Sequence, residues 1–173
     1  MRSFAIRQKT NIKRLNPGDI VEVPILNGKY SYAQVGPSPL FVFFDGVFEQ
    51  RPSAEAILPL NILFKLWLHK DALRGDRWKK LSSADLSPEN MVAPPMRKQD
   101  VVSGRLFIHH SDYADSNYEK PATLSEIENL ETAAVWDIPQ VEQRIEDHYL
   151  GKPNKWEEAL KIKLERVPID QLK

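Results

Sequence analysis

The chain has 173 residues, enough for an ordinary domain with a real core, and no cysteine, which excludes disulfides and thiolate metal sites. Its 24 basic and 24 acidic side chains cancel, so overall charge gives no pull towards nucleic acid or a membrane surface. The apolar fraction of 42% suits a folded soluble protein, and no apolar run approaches the ~18 residues of a membrane-spanning helix. The opening Met1-Arg2-Ser3-Phe4-Ala5-Ile6-Arg7 lacks the apolar stretch of a signal peptide, so a cytoplasmic protein is expected.

In chain order, residues 1 to 12 are polar and basic, an arm or a first edge strand. Asn16-Pro17-Gly18-Asp19 is turn chemistry, and Ile20 to Ile25 then reads as a strand. Asn27-Gly28 closes a hairpin, with Tyr30 to Val35 returning. Counting outward from that turn pairs Val23 with Tyr32 and Val21 with Gln34 on one face, and Pro24 with Ser31 and Glu22 with Ala33 on the other. Proline has no N–H for a ladder bond, so a four-residue loop, Leu26 to Lys29, is favoured, with Pro24 marking an unpaired sheet edge. Gly36-Pro37-Ser38-Pro39 breaks the chain before a third strand, Leu40 to Phe44. Ser53 to Leu58 suggests a helical turn. Asn61 to His69 reads as a strand because Leu63, Lys65, Trp67 and His69 alternate with Phe64, Leu66 and Leu68. Asp71 to Asp76 is a turn, and Arg77 to Leu81, carrying Trp78, a short strand. Ser82 to Asp100 is expected to be a long loop, which marks a wrapping or functional segment. Arg105 to His109 is one more strand, after a Ser103-Gly104 turn.

The carboxyl-terminal third changes character. Thr123 with Glu126 forms a capping box for a short helix carrying Leu124, Ile127 and Leu130. Ala133 to Trp136 reads as an apolar link. Asp137 can cap a longer helix with Pro139 in its first turn and Gly151 just past its end. Val141, Ile145, His148 and Tyr149 fall at i, i+4, i+7 and i+8, the spacing of one buried stripe. Trp156, Ala159 and Leu160 suggest a short third element, helical or a turn. The expected class is α+β: a small antiparallel, SH3-like or half-barrel β-sheet with two or three short helices in the carboxyl-terminal third, all as a single domain over 1–173.

Charge is uneven along this frame. Arg2, Arg7, Lys9, Lys13 and Arg14 crowd the first 14 residues without an acid, and 65–80 holds six bases against Asp71 and Asp76. From 122 to 151 seven acids face Arg144 alone. Catalytic and metal chemistry finds little support. Glycines are scattered, and no HExxH, GxSxG or cysteine nucleophile is present. His109-His110-Ser111-Asp112 has ligand types, but neighbouring strand residues point to opposite faces. His69 with Asp71 and Asp147 with His148 read more simply as solvated or capping pairs, and the four tryptophans as packing.

Four segments, GDIVEVPILNGKYSYAQV (Gly18–Val35), ILFKLWLHKDALRGDRWKKL (Ile62–Leu81), KPATLSEIENLETAAVWD (Lys120–Asp137) and DHYLGKPNKWEEALK (Asp147–Lys161), together resemble the bacterial immunity protein 26 family of polymorphic toxin systems. The resembling core runs from about 16 to 161 and leaves the basic arm (1–12) and the tail (166–173) outside. The resemblance implies a cytoplasmic, non-enzymatic toxin inhibitor that binds and neutralises a cognate toxin domain by surface occlusion, with no cofactor, metal or membrane. The acidic helix after Asp137 is the expected interface. Glu142 and Glu146, four apart on one face, and Asp147 are its candidate partner-binding residues, suited to the phosphate groove of a toxin that is a nuclease. A nucleic-acid-associated SH3-like module, using the basic arm and 65–80, is the alternative.

Overall fold

The computed structural model describes residues 14–111 and 118–173. Among them the fold is α+β, as expected. β1 (Asp19–Pro24), β2 (Tyr30–Val35), β3 (Leu40–Phe44) and β4 (Ile62–Leu68) form an antiparallel meander. β5 (Lys79–Ser83) returns past a 3-10 turn at Lys70–Arg74 to pair with β1, in keeping with an SH3-like order of strands. β9 (Val135–Trp136) adds a parallel edge to β4 and completes six strands. A second antiparallel sheet holds β6 (Met96–Gln99), β7 (Leu106–His109) and β8 (Glu119–Pro121). Of the helices, α1 (Ala54–Ile57) and α2 (Leu124–Ile127) are single turns, α3 (Ile138–Tyr149) is the long one, and α4 (Lys155–Ala159) follows it.

The hairpin register differs by one residue from the count outward from Asn27-Gly28. Val21 lies opposite Ala33, Glu22 opposite Tyr32 and Val23 opposite Ser31. The loop is odd, Ile25 to Lys29, closed by Ile25 N–H donating to the Lys29 carbonyl at 3.0 Å, with Asn27 and Gly28 both at positive φ. A one-residue slip turns a whole strand over. The result places Ala33 and Val35, not Tyr32 and Gln34, beside Val21 and Val23 in the main core. Although β1 lies between β5 and β2, Pro24 is past the end of β5, so the unpaired edge expected at this position is present. Its missing N–H costs nothing, because β5 pairs with β1 only as far as Glu22, and Tyr30 bonds to Phe48 instead.

Three cores follow. The main one packs Val21, Val23, Ala33, Val35, Phe41, Phe43, Phe64, Leu66 and Leu68 of the sheet against Val141 and Ile145 of α3, with Trp78 and Trp136 buried among them. Phe41 and Phe43 each meet the Trp78 ring edge-on at 5.8 Å. Complete burial of a residue such as Ile145 contributes about 1.5–3 kcal/mol, so two such anchors fix α3 on the sheet. On the sheet's other face Ile20, Tyr32 and Phe44 lie under Ile57 of α1. A third cluster joins Leu106, Ala122, Ile127 and Val167. The tail is therefore part of the fold. Gln171 accepts from Leu106 N–H and donates to the carbonyls of Leu106 and Ala122.

Four further expectations are corrected. The Arg77–Leu81 strand begins two residues later, because the side chains of Arg77 and Trp78 both turn to Glu142. The 82–100 segment is not one loop: β5 runs to Ser83 and β6 occupies Met96–Gln99, held by β7 and by Arg97 N–H donating to Glu131. The Ala133–Trp136 link carries β9, whose two residues pair only with distant β4. On α3 the buried positions are Val141, Glu142, Arg144 and Ile145, whereas His148 and Tyr149 in the last turn are exposed. The helix ends are as read: Asp137 and Gln140 form a capping box, and Gly151 sits at φ +63 beyond the carboxyl end. The basic arm (1–12) lies outside the described residues, as does Asp112.

Candidate functional site

α3 carries all three acids that sequence reasoning singled out, and the fold uses each differently. Glu142 faces inward, its side chain only 9% exposed. Arg77 grips it with two guanidinium nitrogens, and Trp78 Nε1 donates to Oε1 at 2.9 Å. Asp147 accepts from Asn154 Nδ2 at 2.8 Å. Asn154 is thereby turned to cap α4, accepting from the backbone N–H groups of Trp156 and Glu157. Glu146 accepts from Leu26 N–H at 2.7 Å across 120 residues of chain. The three acids are not brought together into one exposed cluster. Arg144, the lone base among them, is also internal. It pairs with Glu131 and Glu157 at 2.7 Å each and lies over the Phe64 and Trp136 rings at 4.3 and 5.0 Å.

Where α3 ends, the hairpin loop and helix enclose an open cleft of about 270 Å³. Ile25, Leu26, Asn27 and Lys29 line one side, Glu146, Tyr149 and Leu150 the other, with Val47 between. Leu26 is 60% exposed and Leu150 57%, high values for neighbouring leucines. Their supports are rigid. Glu146 ties down the loop through Leu26 N–H, and Tyr149 Oη donates to Asp45 Oδ1 at 2.8 Å. Burial, and then the Asp45 carboxylate, push the Tyr149 phenol well above its ordinary pKa, so the ring keeps its proton and this bond. A Schellman motif finishes α3: Gly151 N–H donates to the His148 carbonyl and Lys152 N–H to that of Asp147. Lys29 is matched by Glu49 at 3.2 Å, which leaves Glu146 as the one cleft-lining charge without an opposite charge among the described residues. Sequence reasoning found Glu146 but missed Leu26 and Leu150. An exposed loop leucine beside Asn-Gly and another before a C-cap glycine were the available signals.

Other openings offer less. A cleft of about 610 Å³ at the start of α3 is lined by His69, Asp71, Arg74, Arg77 and Asp137 among others. Most of its charges are matched internally, with Asp71 bound to His69 at 3.2 Å and Arg74 at 3.0 Å, and Arg77 to Glu142, while Asp76 accepts from Arg77 N–H and Asp137 caps α3. With Lys80 bound to Asp19 at 2.7 Å, three of the six bases of 65–80 are thus committed to carboxylates. A third cleft, about 560 Å³, is walled by Pro37, Pro39, Leu40, Trp67, Met91 and Val92. His109 packs against Trp67 at 5.1 Å and lies 3.8 Å from Glu119. Among the described residues no group of three or more potential ligands could hold a metal ion, and no helix is long and apolar enough to cross a membrane.

The model of a family described as Immunity protein 26 covers residues 16–107, which is β1 to β6 and the start of β7. No curated protein and no solved structure matches the chain. The cleft thus joins a loop from the matched segment, 25–29, to a helix that lies beyond it.

Proposed function

Because the chain belongs to the immunity protein 26 family, we propose that it binds and neutralises a cognate protein toxin by covering part of the toxin's surface. The observation that carries this reading is the cleft at the end of α3. Exposed leucines on clamped backbone are costly to solubility and favourable to association, because little freedom is lost when a partner buries them. A stable complex needs a patch of ordinary size, roughly 1,600 Å² over both partners. The cleft serves as the apolar centre of such a patch, with Asn27, Lys29 and Asp147 towards its polar rim. In this reading Glu146 and Asp147 face the toxin, and Glu142 holds the helix that presents them. Inhibition by coverage requires no turnover, and it operates in the cytoplasm, where a toxin would otherwise act on the cell that makes it.

A nuclease toxin fits the same account, since an acidic helix end can enter a phosphate-binding groove. A nucleic-acid-binding role is disfavoured by the pairing of Arg74 and Arg77 with Asp71 and Glu142. The test is co-expression of the toxin domain encoded by the adjacent upstream reading frame, with and without this chain. Growth rescue and a stoichiometric complex on pull-down are expected. A toxin that kills equally in both cultures and passes through the affinity column unbound refutes the proposal.

A further inference from the structure

Resting on that reading, we propose that the cleft between the 25–29 loop and the end of α3 seats an aliphatic or aromatic side chain of the toxin flanked by a lysine or arginine. Three features select this chemistry. The walls are apolar, with Leu26 and Leu150 open to solvent and the Tyr149 ring fixed by Asp45, so the cavity of about 270 Å³ suits a large apolar side chain. The charge on its margin is negative. Only Leu26 N–H donates to Glu146 among the described residues, at Oε1, which leaves Oε2 to solvent or to a cation of the partner. The carboxyl end of a twelve-residue helix lies at the same place, and its dipole also favours a cation. Lys29 does not offset this, because it is held by Glu49. An acidic segment would meet both Glu146 and the helix end, so the site discriminates by repulsion as well as attraction.

The geometry supplies a clean variant. In Glu146→Gln the amide oxygen can still accept from Leu26 N–H, so the loop stays in place while the charge is lost. Leu150→Ser removes an apolar wall that is mostly exposed, and Val102→Ser, on a distant turn and 86% exposed, serves as the control. All are checked for folding by thermal melting. Titrating the upstream-encoded toxin domain into each protein, we expect Leu150→Ser to weaken binding about tenfold or more. Glu146→Gln should weaken it about fivefold at low salt, with a flatter salt dependence, while Val102→Ser matches wild type. Toxin binding equal to wild type in both cleft variants overturns the inference and leaves the immunity reading standing.

Should wild type capture no toxin, that reading fails and a second arm decides the chemistry. Acetyl-Arg-Leu-Lys-amide or acetyl-Glu-Leu-Glu-amide at millimolar concentration is titrated into the ¹⁵N-labelled full chain. Shifts gathered at 25–29 and 146–150 with the basic tripeptide only support the inference. No shifts there, or equal shifts with both peptides, overturn it.

Discussion

Replacing Glu142 tests whether this acid is structural or faces the partner. Two groups depend on it, and they are unequal. Arg77 is 54% exposed on its side chain, so on losing its partner it rehydrates, and the broken pair costs only about 0–1 kcal/mol. Trp78 is 1% exposed, and its indole N–H loses its acceptor inside the core, which costs about 1–3 kcal/mol. Leucine nearly fills the space of glutamate, so little cavity cost is added. Glu142→Leu should therefore destabilise by about 2–3 kcal/mol, whereas Glu142→Gln, which keeps an acceptor for Trp78, should lose no more than about 1 kcal/mol. Urea unfolding of wild type, Glu142→Leu, Trp78→Phe and the double variant then isolates the bond. Phenylalanine has no N–H to strand, so the two substitutions should couple by about 1–2 kcal/mol. Equal stabilities for Glu142→Leu and Glu142→Gln, or no coupling, would refute the argument. Toxin affinity gives a second reading. Folded Glu142→Gln should bind like wild type, and a tenfold loss would place Glu142 in the interface after all.

Other perturbations have equally definite outcomes. Burial alone would raise the Asp19 pKa, but bonds from Lys80, Asn16 N–H and Ser83 outweigh it and hold the carboxyl below its ordinary value. A lowered native pKa contributes stability that is fully present above the unfolded value of about 3.9 and is lost as pH falls through the native one. Thermal melts stepped down through the carboxylate range should show a shallower acid decline for Asp19→Asn than for wild type. Gln171→Ala strands the Leu106 N–H and takes a donor from the Ala122 carbonyl, while the Leu106 carbonyl keeps Ala122 N–H, so it should cost about 1–3 kcal/mol and speed proteolysis of the tail beyond 162. Gly104 lies at φ +73, and an added Cβ would stand 1.9 Å from the Arg166 carbonyl oxygen. Gly104→Ala should cost about 3 kcal/mol or more in urea unfolding, against about 1–2 kcal/mol for Gly28→Ala, where φ is +71 but the space is open.

What could be read along the chain was whatever local chemistry enforces. Turn residues and alternation located β1 to β4 and β7. The capping box at Thr123 and the cap residue Asp137 marked the starts of α2 and α3 within their own first turns. These signals act over three or four residues, so no tertiary partner is needed to interpret them. The family resemblance was legible too, although the matched model stops at 107, short of the Lys120–Asp137 and Asp147–Lys161 segments.

Tertiary structure decided the rest. Asn27-Gly28 announced a hairpin but not whether the loop was odd or even, and that parity sets which face of β2 enters the core. β6, β8 and β9 are too short to advertise themselves: β6 and β8 exist through pairing with β7 between them, and β9 through pairing with remote β4. The acids of α3 look alike in sequence. Contacts with Arg77 and Trp78, Leu26 and Asn154, up to 120 residues away, make one internal, one a loop clamp at a cleft and one the support of a cap. A helical repeat gives each side chain a direction, but the solvent or partner found there depends on where distant chain passes.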